Sequence, residues 1–360
     1  MTAPGALREF DAVVAPGLEP VLARELTALG LVATQSPGIV RFSANDPQLV
    51  QALMATRTAT RLLDVVDEAV CRGFPELERF AKRQDLTRWL KPGAPVKYTV
   101  TAAKSRLYHT GAITERLEQF LGHPAAPDAP ITVSVRVHHD RVRLSVDAAG
   151  ERLHRRGYRL ETAHAPLRES LAAGILMHLG YVGDTPVVDP MCGSGTFPIE
   201  AAWIAARRAP GRDRPLACES WPGLSADVAG IRGSLAAQER REGLPELVGV
   251  DRDARAVEAA RANGERAGVS VEWACADARD LGPGSLAAGL LIANLPYGRR
   301  LADAEGALRA LEVAARRFVG WKVAALWGVP GPVPGGWTES LRLSNGGLPV
   351  RVLYAGSLPK

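Results

Sequence analysis

The sequence of 360 residues has few cysteines, few aromatic residues and no long apolar run. Its four cysteines stand far apart without a Cys-x-x-Cys pair, which argues against a zinc ribbon, an iron–sulfur cluster or a disulfide framework. No stretch approaches the roughly 20 apolar residues of a membrane span, and the N-terminus lacks the apolar core of a signal peptide. We therefore expect a cytoplasmic monomer with no metal and no membrane association.

Lysine is also scarce, since only six of the 44 basic residues are lysines. The net charge is nevertheless +5 and the isoelectric point about 9.2, which suits a protein that binds nucleic acid. Arginine-rich, alanine-rich and glycine-rich sequences also arise from GC-rich genomes without any functional cause, so charge alone leaves nucleic-acid binding open. The length favours two domains over one.

Hydrophobic periodicity divides the chain into two parts. In the first 150 residues it predicts small α+β units, with strands at 10–14, 38–42, 61–70 and 96–101, helices at 18–29, 47–59 and 111–121, and a hairpin at 131–146. A basic connector at 152–159 marks the predicted domain boundary. From residue 185 onward strands and helices alternate, which indicates a parallel sheet with crossover helices.

A glycine-rich loop, Asp189-Pro-Met-Cys-Gly-Ser-Gly195, follows a short apolar strand and precedes a predicted helix at 196–208. Glycines there let the backbone approach a ligand, and the helix N-terminus supplies N–H donors. A nicotinamide dinucleotide is the alternative ligand. The opening Asp-Pro, and Pro198 in place of the third fingerprint glycine, favour S-adenosylmethionine instead.

Two further acids end the next predicted strands. Asp251 closes the strand at 247–251 and is suited to accept hydrogen bonds from both ribose hydroxyls, while Asp277 is placed to meet the adenine amino group. Each acid alone could be a solvated strand end or a helix cap, but three in succession favour a cofactor site. The predicted cofactor-binding residues are Asp189, Pro190, Cys192, Gly193, Gly195, Thr196, Asp251, Asp277, Ala278 and Asn294.

An additional segment, residues 210–245, separates the glycine loop from Asp251. One crossover helix needs far fewer residues. Its tryptophan and leucine content predicts a packed cover over the sheet.

The segment Asn294-Leu-Pro-Tyr297 ends the predicted strand at 289–294. The Asn294 side-chain oxygen and the Leu295 carbonyl can each accept an N–H of an exocyclic base amine, which aligns that weak nucleophile with a methyl group. Pro296 stiffens the turn and Tyr297 can stack on the base. A plain Asn-x-Pro turn is the alternative. The predicted catalytic residues are Asn294, Leu295, Pro296 and Tyr297.

The stretches 156–170 and 188–202 resemble the THUMP-containing RNA guanine-N2 methyltransferases, with the greatest similarity to the bacterial 23S ribosomal RNA enzymes. The resemblance implies an α/β fold in which a Rossmann-like domain of seven mostly parallel strands, the last antiparallel, follows ferredoxin-like and THUMP modules. The implied domains are 1–60 (ferredoxin-like), 61–150 (THUMP), 151–165 (linker) and 166–360 (methyltransferase).

This resemblance also implies the reaction and its partner. S-adenosylmethionine would methylate the N2 amine of a guanosine in RNA, most readily 23S ribosomal RNA. The implied RNA-binding residues are Lys104, Arg106, Arg152, Arg155 and Arg156. Alternatives are a transfer-RNA guanine-N2 methyltransferase, an N6-adenine or N4-cytosine methyltransferase, a nicotinamide-dependent dehydrogenase, or a non-catalytic RNA-binding assembly factor.

Two departures from the family pattern bear on these alternatives. The family tetrad is commonly Asn-Pro-Pro-Tyr, and Leu295 replaces its first proline, as in THUMP transfer-RNA methyltransferases. The role at that position belongs to a backbone carbonyl, so the chemistry should survive. The second methyltransferase domain of the long ribosomal enzymes does not follow within the 360 residues, so a single activity is expected.

Overall fold

A computed structural model describes residues 6–160, 167–296 and 303–355. Within these ranges the chain forms two seven-stranded sheets, one from each half. No helix in the described ranges combines the length and apolar character that crossing a bilayer requires. The α/β fold with two parts matches the expectation from the sequence.

The first sheet holds β1 to β7 in the order β2-β3-β1-β4-β7-β6-β5. All neighbours are antiparallel except β5 and β6. Because β4 pairs with both β1 and β7, a single sheet runs through both implied N-terminal modules. The elements are β1 Arg8–Val13, α1 Glu19–Ala28, β2 Ala33–Ser36, β3 Ile39–Ala44, α2 Asp46–Ala55, β4 Arg61–Val70, α3 Phe74–Lys82, β5 Lys97–Ala103, α4 Thr110–Leu121, β6 Thr132–His138 and β7 Arg141–Asp147.

The predicted hairpin is confirmed as β6 and β7. His139 and Asp140 form its two-residue turn with φ of 50° and 58°, the left-handed conformation that tight hairpins require. The periodicity did not indicate β2 or α3. Strand β2 has only four residues, none of them fully buried, so it carries no clear alternation.

The second sheet holds β8 to β14 in the order β10-β9-β8-β11-β12-β14-β13. Strand β14 is antiparallel to both neighbours and the other pairs are parallel, as expected. The elements are α5 Glu169–His178, β8 Val187–Asp189, α6 Thr196–Ala205, α7 Val228–Ala237, β9 Leu247–Asp251, α8 Ala254–Ala267, β10 Glu272–Cys275, β11 Leu290–Asn294, α9 Ala304–Ala315, β12 Lys322–Trp327, β13 Thr338–Asn345 and β14 Leu348–Ala355.

The segment 210–245 is packed against both halves of the chain. On one side the Arg240 N–H donates to the Ala206 carbonyl at the end of α6 over 2.8 Å. On the other side its Trp221 is buried edge-on against Trp89 of the N-terminal part, with ring centroids 6.5 Å apart. The Gly223 N–H donates to the Arg88 carbonyl over 2.8 Å, and the Ser225 N–H donates to the Asp46 carboxylate over 2.8 Å. The segment therefore bridges the two halves, because α7 also packs against α2.

A buried charge network ties the connector to both halves. The Arg156 side chain is only 1% exposed; its Nε lies 3.6 Å from Glu200 on α6, and its Nη2 donates to the Arg57 carbonyl. The Tyr158 hydroxyl donates to the same Glu200 carboxylate over 3.1 Å, and Arg57 donates to the Trp203 carbonyl over 3.0 Å. This burial corrects the prediction that Arg156 contacts RNA, because its guanidinium is enclosed.

Candidate active site

The carboxyl ends of the parallel strands β8, β9, β10 and β11 face an open cavity of about 1300 Å³. Ligands of open α/β sheets bind at this edge. Nine of the ten predicted cofactor-binding residues line the cavity. The exception is Gly195, the last residue of the glycine loop, which does not line the cavity.

The glycine loop is fastened to the end of β9. The Gly193 N–H donates to Asp251 Oδ2 over 2.9 Å, and the Cys192 N–H donates to the Val250 carbonyl over 2.8 Å. The Asp253 N–H donates to the other Asp251 oxygen over 3.0 Å. The carboxylate that was predicted to meet the ribose thus also orients the loop above it.

Asp189 lies at the end of β8 and is almost fully buried. Its Oδ1 accepts the Met191 N–H over 3.0 Å. Burial raises its pKa well above the ordinary value, and the nearby negative charge of Asp251 raises it further. A positive charge placed here would favour the ionised carboxylate.

S-adenosylmethionine carries positive sulfonium and ammonium groups, which suit the carboxylates of Asp189 and Asp251 beside the glycine loop. The cofactor also carries a carboxylate, and the cavity offers it arginines, namely Arg252, Arg255, Arg279 and Arg309. The residues present therefore fit S-adenosylmethionine.

Asp277 follows β10 and lines the cavity with Ala278. Its carboxylate accepts hydrogen bonds from the Arg279 side chain over 2.9 and 2.6 Å and caps the short 3-10 turn that follows. These bonds hold the pKa of Asp277 well below its usual range. The carboxylate is therefore a permanent acceptor at this end of the cavity.

Asn294 is the last residue of β11, beside β8 in the centre of the sheet. Its Oδ1 is buried and accepts no hydrogen bond from any residue that the structure describes. Leu295 and Pro296 continue along the cavity wall. Tyr297, the fourth predicted residue, lies outside the described residues.

One wall of the cavity was not predicted from the sequence. It is formed by α9 and the residue before it, with contributions from Leu167, Phe197 and Arg252. The apolar stripe of α9 was visible in the sequence, but only the fold shows that its other face borders the site. The α9 residues in the wall are Gly306, Ala307, Arg309, Ala310 and Val313.

The other predicted RNA-binding residues are exposed. Lys104 and Arg106 follow β5, and Arg152 lies in the connector. Arg155 is exposed as well and forms an ion pair of 3.1 Å with Glu151. None of these side chains lines the described cavity.

Comparison with known proteins agrees with this architecture. A family model described as the RMKL-like methyltransferase domain matches residues 156–323, and one described as the RlmL ferredoxin-like domain matches residues 9–63. The chain is 34% identical over 83% of its length to a ribosomal RNA large subunit methyltransferase K/L of Vibrio campbellii, of which it covers 45%. It thus spans about half the length of such relatives.

Two similarities extend over nearly the whole chain. A candidate RNA methyltransferase of Synechocystis is 30% identical, with 96% of each chain covered. The crystal structure of a candidate methyltransferase, SMU.472, complexed with S-adenosylhomocysteine, superposes with a TM-score of 0.84 at 28% identity, covering 98% of this chain and 99% of the other. The family depends on S-adenosylmethionine, and the chain belongs to the RMKL-like methyltransferases.

Proposed function

We propose that this protein transfers a methyl group from S-adenosylmethionine to an exocyclic base amine in RNA, specifically the N2 amine of a guanosine in 23S ribosomal RNA. The observation that carries the proposal is the buried Asn294 Oδ1 without a hydrogen-bond donor among the described residues, beside a cavity that contains Asp189, Asp251 and Asp277. Leaving a buried carbonyl oxygen unpaired costs about 1–3 kcal/mol, so the site favours a ligand that brings an N–H group.

The chemistry follows from this placement. S-adenosylmethionine supplies a methyl group on a positively charged sulfur. Asn294 Oδ1 and the Leu295 carbonyl accept the two N–H bonds of the base amine, which turns its nitrogen lone pair toward the methyl carbon. The nitrogen–carbon bond forms as the carbon–sulfur bond breaks, and one amine proton then passes to solvent.

The cofactor side of the site would be held by the three acids. Asp251 accepts from the ribose, Asp277 accepts from the adenine amine, and Asp189 faces the positive charge. Gly193 keeps Asp251 in place through its N–H bond of 2.9 Å.

We also propose that RNA docks on a basic tip, defined as Lys104, Arg106, Arg136, His138 and His139. Lys104, Arg136 and His139 lie close enough to His138 to lower its pKa, so these groups share one surface. Lys104 adopts a φ of 50°, and strained backbone is frequent at functional sites. Cations without carboxylate partners attract phosphates, and no ion pair within the described residues involves these.

An exposed aromatic pair follows Arg106 of the basic tip in the chain. It favours RNA as the ligand over an anion that has no bases to stack. Tyr108 is 64% exposed, and its ring lies 4.1 Å from that of His109. Exposed aromatic rings stack on unpaired bases. On this basis residues 61–150 would be the THUMP RNA-binding domain and 151–165 the linker to a methyltransferase domain at 166–360.

The names of the relatives support RNA, since the Vibrio protein is named for ribosomal RNA and the Synechocystis protein for RNA. The choice of guanine N2 rests on the tetrad and the family resemblance. Transfer RNA is the second candidate, because Leu295 gives the tetrad that the transfer-RNA enzymes share.

The decisive experiment incubates the full chain with tritiated S-adenosylmethionine and, separately, unmodified ribosomal RNA, transfer RNA and DNA, followed by digestion to nucleosides. We expect label in N2-methylguanosine from ribosomal RNA. Label from transfer RNA alone would change the substrate, and N6-methyladenosine or N4-methylcytosine would overturn the guanine assignment. Absence of label from every pool, with cofactor binding intact, would favour a non-catalytic RNA-binding factor.

A further inference from the structure

The indole of Trp273 on β10 lies in a slot made by three glycines from three elements. A Cβ built on Gly249 of β9 would stand 2.3 Å from Trp273 Cζ3, and one on Gly195 at the start of α6 would stand 2.7 Å from Cη2. A Cβ on Gly264 of α8 would stand 3.2 Å from Cζ2. At each of the three positions, the absence of a Cβ leaves space for the Trp273 indole ring.

Two of these glycines have no backbone reason to be glycine. Gly195 has φ of +85°, which L-residues rarely adopt, but Gly249 and Gly264 are not among the positive-φ residues. Glycine within a strand or helix weakens it by roughly 0.5–1 kcal/mol relative to alanine. Within a strand it often marks a close approach of another group, and here that group is Trp273.

The slot lies directly beneath the cofactor loop. The would-be Gly249 Cβ is 3.3 Å from Cys192 Sγ, so the indole and the loop meet over the same strand residue. Two residues further along β9 is Asp251, which accepts the Gly193 N–H. Gly195 was predicted from the sequence to bind the cofactor. It does not line the cavity, and the side of it that lacks a Cβ faces Trp273.

We propose that Trp273 is a positioning residue that supports the glycine loop against β9 and so sets the geometry of Gly193 and Asp251 toward the cofactor. This inference rests on the cofactor part of the proposed function. Trp273 does not line the cavity, so its effect on cofactor affinity is indirect.

The test is a double-mutant cycle read by calorimetric titration of the full chain with S-adenosylhomocysteine. In the wild-type background Gly249→Ala forces a Cβ into the ring, and we expect affinity to fall about 30-fold. In the Trp273→Leu background the ring atoms are gone, so adding Gly249→Ala should change affinity by less than about threefold. Contacting residues couple in this way, and distant ones do not.

Three variants serve as controls. Gly195→Ala should weaken binding and should not be rescued by Trp273→Leu, because the left-handed backbone remains strained. Gly264→Ala should weaken binding less than Gly249→Ala, since its Cβ contact of 3.2 Å needs only a small shift of the ring and alanine favours the helix. Trp273→Phe should retain affinity within about threefold, whereas Trp273→Leu alone should lose about tenfold through the cavity it leaves.

Thermal unfolding and filter binding of RNA without cofactor show whether each variant is folded. Folded Trp273→Leu and Gly249→Ala proteins with wild-type affinity for S-adenosylhomocysteine would overturn the positioning role and leave the proposed function untouched. A wild-type protein that does not bind S-adenosylhomocysteine would overturn the cofactor assignment and this inference with it. Normal binding without methyl transfer would count against the proposed reaction alone.

Discussion

Buried polar side chains have different partners in the two sheets. In the first sheet Asp64 pairs with Arg8 over 2.8 Å, Asp11 with Arg143 over 2.6 Å, and Asp147 with Arg61. At the carboxyl edge of the second sheet, Asp189 accepts from a backbone N–H. Asn294 Oδ1 there accepts from no described residue.

This difference in partners helps to tell buried groups that stabilise the fold from buried groups that can bind a ligand. A buried carboxylate that already faces a guanidinium has its charge compensated and contributes mainly to holding the sheet together. A buried acceptor that is unpaired and borders a cavity, as Asn294 Oδ1 does, gains a partner when a ligand brings a hydrogen-bond donor. The proposed function accordingly assigns the chemistry to the second sheet, although the first contains more charge.

The contrast between the two sheets would be lost if Asn294 had only a structural role, and the largest expected effect tests this. We expect Asn294→Ala to lower kcat roughly 10²–10³-fold, because one hydrogen bond that stabilises the reacting group is removed. Affinity for S-adenosylhomocysteine should stay close to wild type. Initial rates of methyl transfer to the unmodified RNA that the wild-type protein methylates, and calorimetry, test this.

A matched control is Asn45→Ala, which removes the helix cap of α2. It should cost about 1 kcal/mol of stability without a change in kcat. Equal turnover in Asn294→Ala and wild type would contradict the role of Asn294.

The buried network at the connector gives the next largest effect. Arg156→Met should lower the free energy of unfolding by about 3 kcal/mol, because Glu200 loses its cationic partner in a buried site. Arg155→Met, one residue away and 68% exposed, should change it by less than about 0.5 kcal/mol. Denaturant unfolding of both variants tests this, and equal stabilities would show that Arg156 is not the link between the halves.

The basic tip gives a smaller effect, on RNA alone. Lys104→Ala should weaken RNA binding several-fold at physiological salt and reduce the slope of log affinity against log salt by about one unit per lost phosphate contact. Arg141→Ala is the matched control, because its guanidinium is paired with Glu68 over 2.8 Å. Identical salt slopes for wild type and Lys104→Ala would remove Lys104 from the RNA surface.

The smallest expected effect concerns His154. Burial, with the charges of Arg168 and Arg152, lowers its pKa to about 4. As pH falls below about 6.5 the unfolded chain therefore takes up the proton before the folded one, and stability is lost between about pH 6.5 and 4. His154→Gln should reduce the loss between pH 6 and 5 by about 1 kcal/mol, whereas the exposed His109→Gln should not. Unfolding curves at both pH values measure this, and parallel losses in His154→Gln and wild type would contradict the shift.

The sequence predicted those features that depend on short stretches of chain. The hairpin at 131–146 and the strands that end at Asp189, Asp251 and Asn294 were each predicted from short apolar runs, local alternation and turn residues. The antiparallel strand near the C-terminus was expected only from the family resemblance. Because parallel strands bring their carboxyl ends to one edge, the local order of these residues also predicted their convergence.

What only the tertiary structure decided concerns contacts between residues far apart in the chain. Arg156 is a basic connector residue by sequence, and only packing against Glu200 makes it an interior ion. Gly195 is a loop glycine by sequence, and only Trp273, 78 positions away in the numbering, explains which side of it must stay open. The unpaired state of Asn294 Oδ1 has the same origin, because burial and hydrogen-bond satisfaction depend on every neighbour and not on the residue type.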